Sequence, residues 1–314
     1  MKALETAFLF SGQGAQTTGM MKDIYECSTA ARFVFEKADE TLGRSVSSLC
    51  FGGPQEELNL THNTQPCVLA ADLAAYAALT EEIRPDAVAG FSLGEYGALV
   101  AAGCIELGDV FPVIQARADF MQEAVPVGDG AMAAIAGKTL EEVQAMCEAV
   151  DGYVVPANIN CPGQIVISGK TEAVQAVVDN ARSKKIKAMI LPVSAPFHCA
   201  LMKPAAEKLE DKLSGINIQN PSIAVYMNVD GEKETLVSSI KEKLVLQAQS
   251  PVFWEKTLRN MYRDGIRVFV ECGPGKTLSG FVKKTFKGLD DVISLRVSDV
   301  ENLRTTLEFF REDK

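Results

Sequence analysis

The chain has 314 residues, 47% of them hydrophobic, enough to bury one large core or a core with a smaller lobe. Its 31 basic and 41 acidic side chains leave a net charge of −10, which excludes general nucleic-acid binding because phosphates need a basic field. The apolar runs at residues 7–10 and 97–105 fall short of the roughly 20 residues a membrane span needs, and Glu5 interrupts what would be a signal-peptide core. A soluble, cytoplasmic protein is expected. Its eight cysteines, scattered without CxxC spacing, read as reduced thiols.

In chain order, residues 6–10 read as a short buried strand, followed by the Gly12-Gln13-Gly14 turn and a helical stretch to about Leu42. Residues 65–79 are rich in alanine and leucine and read as a buried helix. After Pro85, residues 86–91 form a brief strand leading into Ser92, and residues 93–103 a helix packed against it. The sequence GFSLGE thus carries a GxSxG pattern at a strand-to-helix junction, the setting that presents a nucleophilic serine at a sheet edge.

Between residues 128 and 194 the pattern becomes strand, helix, two strands divided by Cys161-Pro162-Gly163, helix and closing strand (188–193), a ferredoxin-like order. The chain then returns with a helix at 203–213, a strand at 222–228, a helix at 236–246 and a strand at 266–270. The expectation is an α/β protein. Residues 1–127 and 195–314 would build a large α/β-hydrolase-like domain with a mostly parallel sheet, and residues 128–194 an inserted ferredoxin-like lobe.

A serine nucleophile needs a base, and the chain has only two histidines. His62 lies at a helix start, where it would cap the helix or meet solvent, whereas His198 follows a predicted strand and a proline and projects from a loop at a sheet end. His198 is therefore the expected partner of Ser92. Cys199 is its sequence neighbour, so their side chains diverge. Arg117 lies seven residues after Val110 and four before Met121 on the apolar face of a helix. A buried guanidinium needs either a protein carboxylate or an anionic ligand, and beside a serine elbow a substrate carboxylate is the better fit. Neither Gly12-Gln13-Gly14 nor Gly275-Lys276-Thr277 meets the spacing of a nucleotide loop. Both read as turns, and the first can set Gln13 beside the elbow.

FSGQGAQ, GFSLGEYGALVAAG, QARADFMQEAVP, GAMAAI, GQIVISG, PFHCALMKPAAEKL, PVFW and ECGPGKTL, in this order, resemble the malonyl-CoA:acyl carrier protein transacylases over residues 5–285. The resemblance implies Ser92 as acylated nucleophile, His198 as base, the backbone N–H groups of Leu93 and Gln13 as oxyanion hole, and Arg117 as ligand of the malonyl carboxylate. It also implies that the backbone carbonyl of Gln247 orients the histidine. Met121 and Phe197 would line the acyl pocket, a phenylalanine before the histidine going with malonyl selection in related polyketide acyltransferases. Malonyl-CoA and acyl carrier protein are the implied substrate and partner, with no cofactor, no metal and a monomeric enzyme. Arg182, Lys184, Lys185 and Lys187, or Lys283, Lys284 and Lys287, could meet an acidic carrier. Two residues depart from the family pattern: Phe91 stands where a histidine is usual, and Ser11 where proline is common.

The rival reading is a serine hydrolase or thioesterase, with Asp109, Asp129 or Asp151 orienting the histidine. A third, an inactive carrier-binding module, fits poorly with an intact serine, histidine and arginine.

Overall fold

The computed structural model describes residues 4–193 and 195–312; Ser194, the expected end of the small lobe, and the termini 1–3 and 313–314 lie outside the described residues. Ten strands form two sheets: β1 (Glu5–Phe10), β2 (Ala87–Gly90), β3 (Gly130–Ala136), β4 (Val154–Cys161), β5 (Gln164–Lys170), β6 (Ala188–Ile190), β7 (Ala224–Tyr226), β8 (Lys233–Glu234), β9 (Ile266–Cys272) and β10 (Ile293–Val297). The larger sheet has the order β10-β9-β1-β2-β7-β8 and is parallel except for β8.

The central strand β1 is apolar on both faces because both are covered. Phe8 and Phe10 join Val88, Val268 and Val270 in one core, while Ala7 and Leu9 join Ala87, Ala89, Trp254 and Phe269 in another. A continuous hydrophobic run is what a doubly covered parallel strand requires. The smaller sheet, β4-β5-β3-β6, is antiparallel and packs helices Leu140–Glu148 and Thr171–Ser183 against its own core, the ferredoxin-like arrangement expected. Helix Leu107–Glu123 leads into this lobe and helix Lys203–Ser214 follows it. The small sheet is also bonded to the segment just before helix Trp254–Arg263: Ile159 N–H donates to the Val252 carbonyl at 2.9 Å, and Val252 N–H to the Ala157 carbonyl at 2.8 Å.

Several expected elements end elsewhere. The stretch to Leu42 is two helices, Lys22–Cys27 and Thr29–Leu42, because the Ser28 hydroxyl caps Ala31 N–H and restarts the helix. The strand expected at 188–193 stops at Ile190, since Pro192 has no N–H to extend the ladder. The helix expected from Gln65 starts at Thr61, which puts Pro66 inside it. Without the Pro66 N–H the His62 carbonyl has no helical donor, and Arg44 Nη2 and Gln115 Nε2 supply hydrogen bonds at 3.2 and 3.0 Å instead.

Candidate active site

The carboxyl ends of the parallel strands converge on one edge, where open α/β sheets bind ligands. There a cavity of ≈ 460 Å³ opens between the sheets, lined by Gln13, Ser92, Arg117, Asn160, His198 and Leu278 among others.

Ser92 sits at φ 54°, in the left-handed region, between β2 and helix Gly94–Ala101. Two glycines make the turn possible. A Cβ on Gly90 would stand 1.9 Å from the Gly94 carbonyl carbon, and one on Gly94 would stand 2.3 Å from the Phe10 oxygen. The GxSxG spacing is therefore a packing requirement. Asn228 holds the turn from across the sheet, accepting the Ser92 N–H at 2.7 Å and donating to the Gly90 carbonyl at 2.7 Å.

Ser92 Oγ lies 2.7 Å from His198 Nε2, and His198 Nδ1 lies 2.9 Å from the Gln247 carbonyl oxygen. A carbonyl only accepts, so Nδ1 carries the proton and the neutral ring offers Nε2 to the serine hydroxyl. Burial, followed by the Arg117 charge, lowers the His198 pKa from 6.5 to about 4 against the opposing pull of the Gln247 bond. The ring is neutral at pH 7 and free to take a proton. Asp109, Asp129 and Asp151 are all exposed, and the hydrolase-type acid has no role here because a backbone carbonyl occupies its position.

Arg117 is 1% exposed, yet its contacts are uncharged: Gln65 Oε1 at 2.5 Å, Gln247 Oε1 at 2.9 Å and Ser92 Oγ at 3.1 Å. Among the described residues no carboxylate makes an ion pair with it, and the Tyr96 ring lies 5.6 Å from the guanidinium carbon. Burial lowers its pKa from the ordinary value. A buried cation held by amides beside a nucleophilic hydroxyl is a receptor for an anion. Gln13 and Leu93 line the same cavity, and among the described residues neither backbone N–H donates a hydrogen bond. Free N–H groups beside the nucleophile suit a developing oxyanion.

Met121 and Phe197 also line the cavity, 2% and 6% exposed. Phe197 has a double position, since it packs with Met121, Met132 and Val166 between the lobes as well. Phe91 makes ring contacts, 5.5 Å to Trp254 and 6.1 Å to Phe281, where the family histidine would carry a polar group. His62 does not line the cavity.

Glu95, Gln65, Asn228 and the Gln247 side chain join the site only through the fold. Glu95 is fully buried, and its carboxylate accepts from Asn228 N–H and, at 2.6 Å, from Gln247 Nε2. Burial pushes its pKa up to about 8, while these donors and the Arg117 charge pull the other way. Its only signal in sequence is its place in GFSLGE, since its partners lie 133 and 152 residues away. Among the described residues no group of three or more His, Cys, Asp or Glu could hold a metal ion, and no helix is long and apolar enough to cross a membrane.

A hydroxyl–imidazole pair at the carboxyl edge of a parallel sheet, faced by a ferredoxin-like lobe, defines an acyl-transfer enzyme of the α/β class. The match to known proteins is more specific. The chain belongs to the acyl transferase domain family, whose model matches residues 7–310. It is 45% identical over 312 residues to the malonyl CoA-acyl carrier protein transacylase of Bacillus subtilis (strain 168), covering 98% of each chain. The protein of that name from Escherichia coli (strain K12) is 44% identical over 283 residues, covering 88% of this chain and 92% of the other. Among solved structures, the acyl-carrier-protein S-malonyltransferase of Burkholderia pseudomallei 1710b matches with TM-score 0.93 and 40% identity, over 97% of this chain and 100% of the other. A malonyl-transacylase in complex with its type II PKS acyl-carrier protein matches with TM-score 0.93 and 39% identity, over 97% and 99%.

Proposed function

We propose that this enzyme moves a malonyl group from malonyl-CoA to the phosphopantetheine thiol of acyl carrier protein through a malonyl ester on Ser92, supplying fatty-acid or polyketide synthesis. The observation that carries the reading is Arg117, a buried cation that makes no ion pair with a carboxylate among the described residues, 3.1 Å from Ser92 Oγ. Malonyl differs from acetyl by one free carboxylate, and this guanidinium is its natural partner.

In the first half-reaction Ser92 Oγ attacks the thioester carbonyl carbon and its proton passes to His198 Nε2. The oxyanion is met by the Gln13 and Leu93 N–H groups, the C–S bond breaks, and the Nε2 proton leaves with the coenzyme A sulfur. The second half-reaction reverses these steps. The pantetheine thiol gives its proton to Nε2, its sulfur attacks the ester carbon, and Ser92 regains its hydrogen. The Gln247 carbonyl stabilises the imidazolium formed each time, and the residues themselves supply every proton transfer without a cofactor. Met121 and Phe197 bound the acyl group, and the Phe197 ring fills space an α-methyl substituent would need. Residues 1–127 with 195–314 carry the chemistry, and residues 128–194 cover it. A cytoplasmic, monomeric enzyme belongs to the same reading.

Incubation with malonyl-CoA should add one malonyl group to Ser92 by intact and peptide mass spectrometry, and Ser92→Ala should fold normally and take up none. Acylation that persists in this variant would put the nucleophile elsewhere.

A further inference from the structure

The Gln247 side chain stands where the contacts of the site cross. Its Nε2 donates to the Ser92 carbonyl at 2.8 Å and to Glu95 Oε2 at 2.6 Å, and its Oε1 accepts from Arg117 Nη2 at 2.9 Å. A carboxamide has one donor end and one acceptor end, so its orientation matters. Reversed, the NH₂ group would face the Arg117 donor and the oxygen would face two acceptors. The Ser92 carbonyl could tolerate either arrangement at a cost of one bond, whereas the Glu95 carboxylate, which only accepts when ionised, selects the observed one. Glu95 is itself held by the backbone N–H of Asn228, the residue that pins the serine turn.

We propose that Glu95 is a positioning residue that fixes the Gln247 carboxamide, and through it aims the Arg117 guanidinium at the substrate carboxylate. The inference rests on the malonyl-transfer reading. Glu95 touches neither nucleophile nor base through its side chain, and the Gln247 bond to His198 comes from the backbone, so disturbing Glu95 should affect carboxylate recognition more than proton transfer. Simple electrostatics points the opposite way. The charges facing Glu95 are Arg117 and Asp230, and removing a negative group near Arg117 would by itself strengthen its pull on an anion. The two accounts predict opposite signs.

Glu95→Gln keeps the shape but must set an NH₂ group against either Asn228 N–H, which cannot turn, or Gln247 Nε2, which must then turn away from its role at Arg117. The test compares kcat/KM for Ser92 acylation by malonyl-CoA and by acetyl-CoA at a pH well above the value of about 8 to which burial pushes Glu95. Glu95→Gln should lower the malonyl value about 10-fold or more and the acetyl value no more than about 3-fold, the size of one or two lost charge-assisted bonds. Gln247→Met, which keeps the backbone carbonyl, should lower the same ratio, and the double variant should be no worse than either single one. A malonyl-to-acetyl ratio that is unchanged or raised in Glu95→Gln, or effects that add in the double variant, would overturn the proposal. Should Glu95→Gln fail to fold, Glu95→Asp keeps the charge but withdraws it from Gln247, and it must lower the ratio or the proposal fails. Wild-type enzyme that never forms malonyl-Ser92 would refute the functional reading itself; normal wild-type acylation beside an unchanged Glu95→Gln ratio would refute this inference alone.

Discussion

In the proposed reaction selectivity and reactivity depend on two buried basic groups, one charged and one neutral. Among the described residues Arg117 is buried without an ion-pair partner, and in the proposed reaction the substrate carboxylate would complete its coordination. Arg117→Ala should cut malonyl kcat/KM about 10- to 100-fold, the usual worth of a charged hydrogen bond, while acetyl falls far less. Equal losses for both substrates would make the arginine structural. His198 is buried and neutral, and its acylation profile should stay level through pH 6.5, the ordinary histidine value, and fall only near pH 4. The same shift acts on stability. A folded pKa below the unfolded one means stabilisation that is whole above pH 6.5 and lost as pH falls through about 4, roughly 3 kcal/mol in all. Denaturation of His198→Ala across that range should lack this part of the acid loss, and a wild-type activity limb at pH 6.5 would contradict the assignment. Ser92, His198 and Arg117 could be singled out in sequence because Ser92 lies in a GxSxG turn, His198 is one of two histidines and Arg117 falls on the apolar face of a helix. Glu95, Gln65 and Asn228 could not, because common polar residues acquire meaning only from partners that the fold supplies.

The serine turn is an element built from contacts that exclude side chains. Gly94→Ala would drive a Cβ into the Phe10 and Ser11 carbonyl oxygens, at 2.3 and 2.6 Å, where only backbone can yield. A loss of at least about 3 kcal/mol in chemical denaturation, or no soluble fold, is expected. Gly280, inside helix Thr277–Thr285, has open space around it, and Gly280→Ala should be neutral or stabilising by up to about 1 kcal/mol. The reverse ranking would show that the turn is not as tightly closed as described. Long apolar or periodic segments such as β1 and helix Thr171–Ser183 were readable in sequence, and so was the order of the small lobe. Helix Trp254–Arg263, helix Thr277–Thr285 and β10 were not predicted. The two helices are amphipathic but span only 10 and 9 residues, too short for a periodic pattern to stand out, and the half-buried β10 shows no clean alternation.

At the scale of the whole molecule, an enzyme of net charge −10 has to receive an acidic carrier locally. Lys284 Nζ bonds Gln164 Oε1 at 3.0 Å on the cavity rim, and the segment from Arg182 to Lys187 leads through β6 to Leu191 and Val193, which also line the cavity. Charge reversal at both clusters should raise the Michaelis constant for carrier protein several-fold while leaving Ser92 acylation by malonyl-CoA intact. An unchanged constant would remove them from the interface. Malonyl transfer, unlike hydrolysis, requires the ester on Ser92 to react with the carrier thiol in preference to water. It is tested most directly by isolating malonyl-Ser92 enzyme, mixing it with carrier protein bearing phosphopantetheine, and measuring how the label divides between malonyl-carrier thioester and free malonate. Nearly all of the label should reach the carrier, and the ester should persist when the carrier is absent; release of malonate at the same rate with or without carrier would make the enzyme a hydrolase instead.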